Sequence, residues 1–325
     1  MALRLLLALV IAAVSLQAQD AALLILHKGS SSLGFYTDDG KLLARVPVGA
    51  HPHEMVLSSD GRYVYTTDNG TMKIEQAGTG GNTVSIIDIP GRKKVGEIST
   101  GKFRRPHGID LDRKTGNLLV SCELPDQLLV IDPARRAVIG NYDTKGKTSH
   151  MVAIGRDGRW AFVSNSSSSN VSALDLSSGA VKPIPTGTRP EGSALSKDGQ
   201  LLYVVNREAE QITIIDTAKK EAVDRIKTGK GPVRVALTPD SRLVVFALMH
   251  ENAVEFADAA TRKVVGKVAL GGSPVSLSIS PDGQLAFASA QDIDIVYVIS
   301  IKDRKVVREI KTAAGAGPDP VLALR

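Results

Sequence analysis

Residues 187–217, GTRPEGSALSKDGQLLYVVNREAEQITIIDT, read as four short strands in succession. Pro190 lacks an N–H and so stands at the edge or start of a strand, which makes 187–190 a loop opening a first strand over 192–196. Ser196-Lys-Asp-Gly199 is a hairpin turn, because Asp-Gly supplies the backbone freedom that a tight turn needs. The run 201–205 is almost wholly apolar, as expected of a strand covered on both faces. A polar loop over 206–210 leads to a third strand over 212–216, and 218–221 turns the chain into a fourth over 222–226.

The same unit returns throughout the chain. Pro52, Pro106, Pro232, Pro274 and Pro318 open equivalent stretches, and Ser149 stands in the proline position of one more. The residues directly after the openers are 53, 107, 150, 191, 233, 275 and 319, so successive intervals are 54, 43, 41, 42, 42 and 44. Four antiparallel strands repeating at about 42 residues are the signature of a propeller blade. The first interval is longer by about 12 residues, and the excess lies in the polar loop 70–82. Residues 21–48 hold three strands, over 23–26, 32–36 and 42–46, with no inner strand of their own, while 317–325 hold an opener and one strand and nothing more. The two ends complete each other. The expected fold is an all-β, seven-bladed propeller over 19–325, its ring closed by the C-terminal strand, which removes free sheet edges.

With 325 residues and 43% hydrophobic content the chain can bury a substantial core, and one repeat covering nearly all of it argues for a single domain. Cys122 is the lone cysteine, sits in a buried-strand pattern and reads as a core hydrophobe, so no intrachain disulfide exists. The net charge of +6 comes from pairs such as Arg135-Arg136 and Lys219-Lys220 in the turns between third and fourth strands, which recur around a solvated rim. A nucleic-acid surface would prefer one continuous basic stripe with aromatics, and aromatics are 4%. Residues 1–18 read as a secretory signal: Arg4, an apolar run over 5–14 and a small-residue cleavage context, too short to span a bilayer comfortably. The expectation is a periplasmic or secreted monomer with no transmembrane segment in the mature chain, and a propeller face open to a protein partner.

A repeat carries its own control, since structural residues recur in every blade and functional ones break the pattern. After the openers the chain reads His53, His107, His150, Glu191, Val233, Val275 and Asp319, a position at the mouth of the central channel. Asp319, His53, His107, His150 and Glu191 fall on five consecutive blades. A second ring, at the end of the second strand, reads Asp68, Glu123, Asn165, Asn206, Leu248 and Ala290, with His27 from the first blade, and it emerges on the same face. Arg105, Arg189 and His51 flank the openers, and Arg234 enters from the fifth blade of this series. Such an arc either lines a wet channel or forms a site, and Asn165 and Asn206 also suit loop tying. As a site, His53, His107 and His150 suit a divalent transition metal, and the arginines suit an anionic molecule. No His-Glu-x-x-His, P-loop, Gly-x-Ser-x-Gly or dinucleotide motif is present, and Gly78-Thr-Gly-Gly81 reads as a cap over the channel face rather than a phosphate site.

The openers, the Ser280-Pro-Asp-Gly283 turn and the phrase Tyr203-Val-Val-Asn206 resemble the YVTN-type seven-bladed propeller repeat over 21–325. The resemblance implies the fold and leaves several activities open. Similarity to propeller lactonases and muconate cycloisomerases implies His150 or Glu191 as general acid or base and Arg234 stabilising a carboxylate or enolate. Similarity to haem d1 domains, which have eight blades, implies haem near His107 and His150. Without a Cys-x-x-Cys-His motif that haem would be non-covalent. Some YVTN relatives bind single-stranded DNA, for which the scattered rim charge here is poorly suited. The combined expectation is a propeller binding a small anionic molecule or a metal-containing cofactor at the mouth, with lactonase-like hydrolysis or isomerisation as the alternative.

Overall fold

A computed structural model describes residues 21–324, so the export signal expected over 1–18 lies outside the described residues. The unit first read from sequence forms strands Pro190–Leu195, Leu201–Asn206, Gln211–Asp216 and Glu221–Lys227, paired antiparallel in that order. Its hairpin closes as Ser-x-Asp-Gly composition requires. Gly199 takes φ +73°, its N–H donates to Ser196 O at 2.8 Å, and Asp198 Oδ1 accepts from Ser196 Oγ and Gln200 N. Seven four-stranded sheets of this kind make up the described residues. We number them blades 1 to 7 from the N-terminus.

Blade 1 is built from both ends of the chain. Strand Pro318–Ala323 pairs with Leu23–His27, with Leu24 opposite Leu322 and Ile25 opposite Val321. The same C-terminal strand touches the inner strands of blade 2 (Pro52–Leu57) and blade 7 (Pro274–Ile279), so the ring closes as expected. Side chains alternate between the two faces of each strand and fill the spaces between blades. Leu202 and Val204 pack with Phe162 and Ala173 of blade 4, while Tyr203 and Val205 pack with Val244 and Phe246 of blade 6. The fourth strands are largely exposed, and the basic turns beside them form the solvated rim. Arg135 is 78% and Lys219 68% exposed.

Each inner strand begins with an irregularity. Pro190 pairs with Asn206 and Ser193 with Val204, so two residues oppose one and Glu191 is ejected from the ladder. Equivalent register shifts follow Pro52, Pro106, Ser149, Pro232 and Pro274. The bulge re-aims the residue after each opener toward the channel mouth.

Inner strands approach closely beyond the bulge. A Cβ at Gly108 would lie 2.5 Å from His150 O and 2.8 Å from Met151 Cα, and Gly192 stands the same way against Val233 and Arg234. Those contacts are backbone and cannot yield. Gly108→Ala is expected to destabilise the fold by about 1–3 kcal/mol through overpacking, lowering the melting temperature by several degrees. A melting temperature equal to wild type would show that the blades can part there.

Candidate functional site

The bulges bring the expected arc together. Asp319, His53, His107, His150 and Glu191 line one cavity of about 330 Å³ at the channel mouth, closed on the remaining side by Val233 and Val275. All five polar residues are buried. The imidazoles pack in a row, His53 edge-on to His107 with ring centroids 4.2 Å apart, and His107 tilted by 40° against His150 at 3.8 Å. Met72, Lys73, Ile74 and Glu75 of the long 70–82 loop line the cavity too, so the insertion caps the channel face.

Hydrogen bonding assigns the protons. His53 Nε2 donates to Thr71 O at 2.8 Å, which leaves Nδ1 as the acceptor for His107 Nε2–H at 3.1 Å. Lys28 Nζ approaches the same acceptor at 3.5 Å. His107 Nδ1 is then bare and faces Glu123 Oε1 at 2.8 Å. Two acceptors cannot share that contact, so one more proton lies between them. Burial drives all three imidazoles well below their ordinary value, with Lys28 adding to the effect on each and Arg234 on His107 and His150. Burial pushes Glu123 up to about 7, against the opposing pull of Arg105. The proton therefore sits on Glu123, a neutral acid donating to His107. His150 stands apart from this chain, its Nδ1 buried without a hydrogen-bond partner.

Lys28, Arg189, Arg207 and Arg234 each meet a carboxylate. Lys28 Nζ lies 3.6 Å from Asp319 Oδ2. Arg189 Nε and Arg207 Nη1 both bond Glu191 Oε1, at 3.2 and 3.0 Å. Arg234 Nη2 bonds Glu54 Oε1 at 2.5 Å, spanning the channel from blade 6 to blade 2. That crossbar separates the mouth from a deeper cavity of about 310 Å³. Arg105 faces away from the cavity. It donates to the carbonyls of Ile74, Gln76 and Gly78 and reaches Glu123 Oε2 at 3.4 Å, so it staples the cap. His51 bonds Lys28 O at 3.1 Å and stays outside the cavity.

The second ring needs correction. Asp68 accepts from Thr83 and Ser85, Asn165 bonds Asn170 and Ser172, and Asn206 bonds Thr213, so these three tie strands within their own blades. His27 likewise bonds Ser32 and Tyr36. Pro106 pairs with Cys122, which makes Cys122 the equivalent of Asp68 and puts Glu123 one residue further along. A one-residue step turns a side chain to the opposite face. The ring that reaches the mouth is the next position: Lys28, Glu123, Arg207, Met249 and Gln291. A residue opposite a bulged opener points into its blade, and this was the signal for counting one further.

Among the described residues no group of three or more His, Cys, Asp or Glu is arranged to hold a metal ion. Both nitrogens of His53 and of His107 are spent on hydrogen bonds, which accounts for it. Larger grooves, of about 730 and 650 Å³, open between hairpin turns on the opposite face, beside Asp282 and Arg304 in one and Asp198 and Arg262 in the other. They are surface clefts with no buried histidine, and the smaller mouth cavity holds the concentrated chemistry.

Comparison with known proteins fits this geometry. A model of YNCE-like β-propellers matches residues 142–238, and a model of the cytochrome D1 haem domain matches residues 196–322. The chain is similar to both kinds of propeller. No curated protein matches the sequence. Among solved structures, a functionally unknown protein from Desulfotomaculum acetoxidans superposes with TM-score 0.78 at 15% identity, covering 94% of this chain and 99% of that one. Hydrazine synthase of Kuenenia stuttgartiensis gives 0.71 at 20%, covering 87% and 96%. The dihydro-haem d1 dehydrogenase NirN gives 0.69 at 16%, covering 94% and 75%. At these identities the likeness establishes the fold alone. No helix of the described residues is long and apolar enough to cross a membrane.

The Glu123 assignment has a measurable sign. Unfolded, the group titrates near 4.5, and folded it keeps its proton to about 7, so the folded state binds the extra proton across that interval. Its stabilisation is full below 4.5 and is lost as pH rises through about 7. Arg105, His107, Lys28, Asn69 and Asp126 surround the group and are common to wild type and variant. Glu123→Gln keeps a donor to His107 and cannot titrate. Relative to that variant, the wild-type melting temperature is expected to fall by several degrees over the interval. Parallel pH profiles would refute the neutral acid.

Proposed function

We propose that the protein is an exported ligand-binding propeller whose mouth cavity takes a carboxylate-bearing, metal-containing cofactor of the tetrapyrrole class. The observation that carries this is His150, on the wall of the cavity, whose buried Nδ1 has no hydrogen-bond partner while the nitrogens of the two neighbouring imidazoles are committed. A bare metal ion needs three or four protein donors, whereas iron already held by a macrocycle needs one axial nitrogen. Lys28 and Arg207 on the same walls suit the carboxylates of such a group. The match to the cytochrome D1 haem domain and the likeness to NirN, solved in complex with DHE, support the same class.

The residues fit the group with one condition. A cavity of about 330 Å³ is at the lower end for small-molecule sites, so the 72–75 segment must lift to admit a macrocycle. Attachment is non-covalent, since the chain's lone cysteine, Cys122, is buried in the core of blade 3. Once bound, the cofactor would supply ligand binding or electron transfer at its metal. His150 would offer a nitrogen ligand, Lys28 and Arg207 would hold carboxylates, and Glu123 with His107 would keep a proton at the edge of the pocket. Export rests on the leader read over 1–18. Hydrolysis by the residues expected for it finds less support, because Glu191 is held by two guanidiniums and Arg234 is paired with Glu54.

Haemin is a suitable probe. Untagged wild-type protein is expected to bind one equivalent with a shifted absorption band. His150→Ala should weaken binding by about tenfold or more, with the band restored by free imidazole. A wild type that leaves the haemin spectrum unchanged, yet opens lactones in a His150-dependent way, would replace this reading with the hydrolase.

A further inference from the structure

We infer that Arg189 and Arg207 form a carboxylate-recognition subsite at the cavity rim, and that Glu75 of the cap occupies it until a ligand carboxylate takes its place. The assignment rests on the mouth cavity being a ligand site and goes further by naming the chemistry and the residues of recognition.

Two guanidiniums converge on one oxygen. Arg189 Nη2 bonds Glu75 Oε1, and Arg207 Nη2 approaches the same oxygen at 3.5 Å. Arginine's fixed fork makes such a convergence specific for a carboxylate. The pair is held from behind by Glu191, a carboxylate 4% exposed that takes Arg189 Nε and Arg207 Nη1 on a single oxygen. One buried carboxylate cannot neutralise two guanidiniums, and the other partner of Arg189, Glu208, is 52% exposed. The front position therefore calls for an anion.

Glu75 fills that position loosely. The arginine side chains are 19% and 18% exposed, whereas Glu75 is 58% exposed. Ion pairs with so solvated a partner contribute about 0–1 kcal/mol, so a more buried carboxylate can displace it. Glu75 also belongs to no blade. It comes from the insertion of blade 2 and crosses the mouth to blade 5, 114 residues away from Arg189 in sequence. Arg105 holds the same segment through the carbonyls of Ile74, Gln76 and Gly78, which gives the cap a hinge side on blade 3 and a release side at Glu75. Lifting the release side exposes the subsite and widens the cavity in one movement.

The test compares haemin with its dimethyl ester, which has the same macrocycle and no free carboxylate. Glu75→Gln is expected to raise haemin affinity by about fivefold, the factor for releasing two exposed ion pairs, and to leave the ester unchanged. Arg207→Gln should lower haemin affinity and abolish the difference between haemin and ester. Haemin binding that depends on His150 but is indifferent to Glu75→Gln would overturn the subsite while leaving the cofactor reading intact. If haemin binds no variant, the cofactor reading fails, and citrate then tests the subsite alone. Citrate should speed amide exchange over 72–80 in wild type, Glu75→Gln should show that speed without citrate, and Arg207→Gln should lose the response. Exchange indifferent to citrate and to Glu75→Gln would dispose of the proposal.

Discussion

Closing seven twisted sheets around one axis crowds the inner strands, and the crowding is relieved at a bulge just after each opener. The bulge has two consequences that cannot be separated. It lets backbone meet backbone beyond the opener, as at Gly108 against His150 O, and it ejects one side chain per blade toward the axis. A ring of seven identical positions becomes a site when five of them carry ionisable residues. Valine at the other two, Val233 and Val275, gives that site an apolar side.

Burying so many ionisable groups together is unfavourable unless their charges cancel. Lys28 is driven below its ordinary value by burial, and Glu54 and Asp319 are driven above theirs, each against the attraction of its partner. Lys28, Arg189, Arg207 and Arg234 accordingly each meet a carboxylate. The imidazoles can pack with centroids 3.8 to 4.2 Å apart because they are neutral, and they stay neutral because burial opposes their protonation. The one proton left over is stored on Glu123. The proposed ligand class rests on these balanced ion pairs and on the unpartnered Nδ1 of His150.

The cap adds what the repeat lacks. It is inserted in blade 2, stapled to blade 3 by Arg105 and fastened to blade 5 by Glu75, so it couples three blades that otherwise contribute separate residues. His53 joins it to the proton chain through Thr71 O.

The repeat itself was legible in the chain. Proline openers, Asp-Gly turns and a period near 42 residues determine the blades, and the split of the last blade between the two ends follows from counting strands. The first ring, from Asp319 through His53, His107 and His150 to Glu191, was legible as well, since it is a deviation from a pattern the chain repeats. The second ring was misread by one residue because a bulge shifts register without leaving a mark in composition, and a single step turns Asp68 or Asn206 into its own blade and Lys28 or Arg207 into the mouth. Nor does spacing reveal that Glu54 meets Arg234 across the channel, or that Glu75 meets Arg189 and Arg207. Those pairs join residues more than a hundred positions apart, and closure of the ring is what brings them within reach.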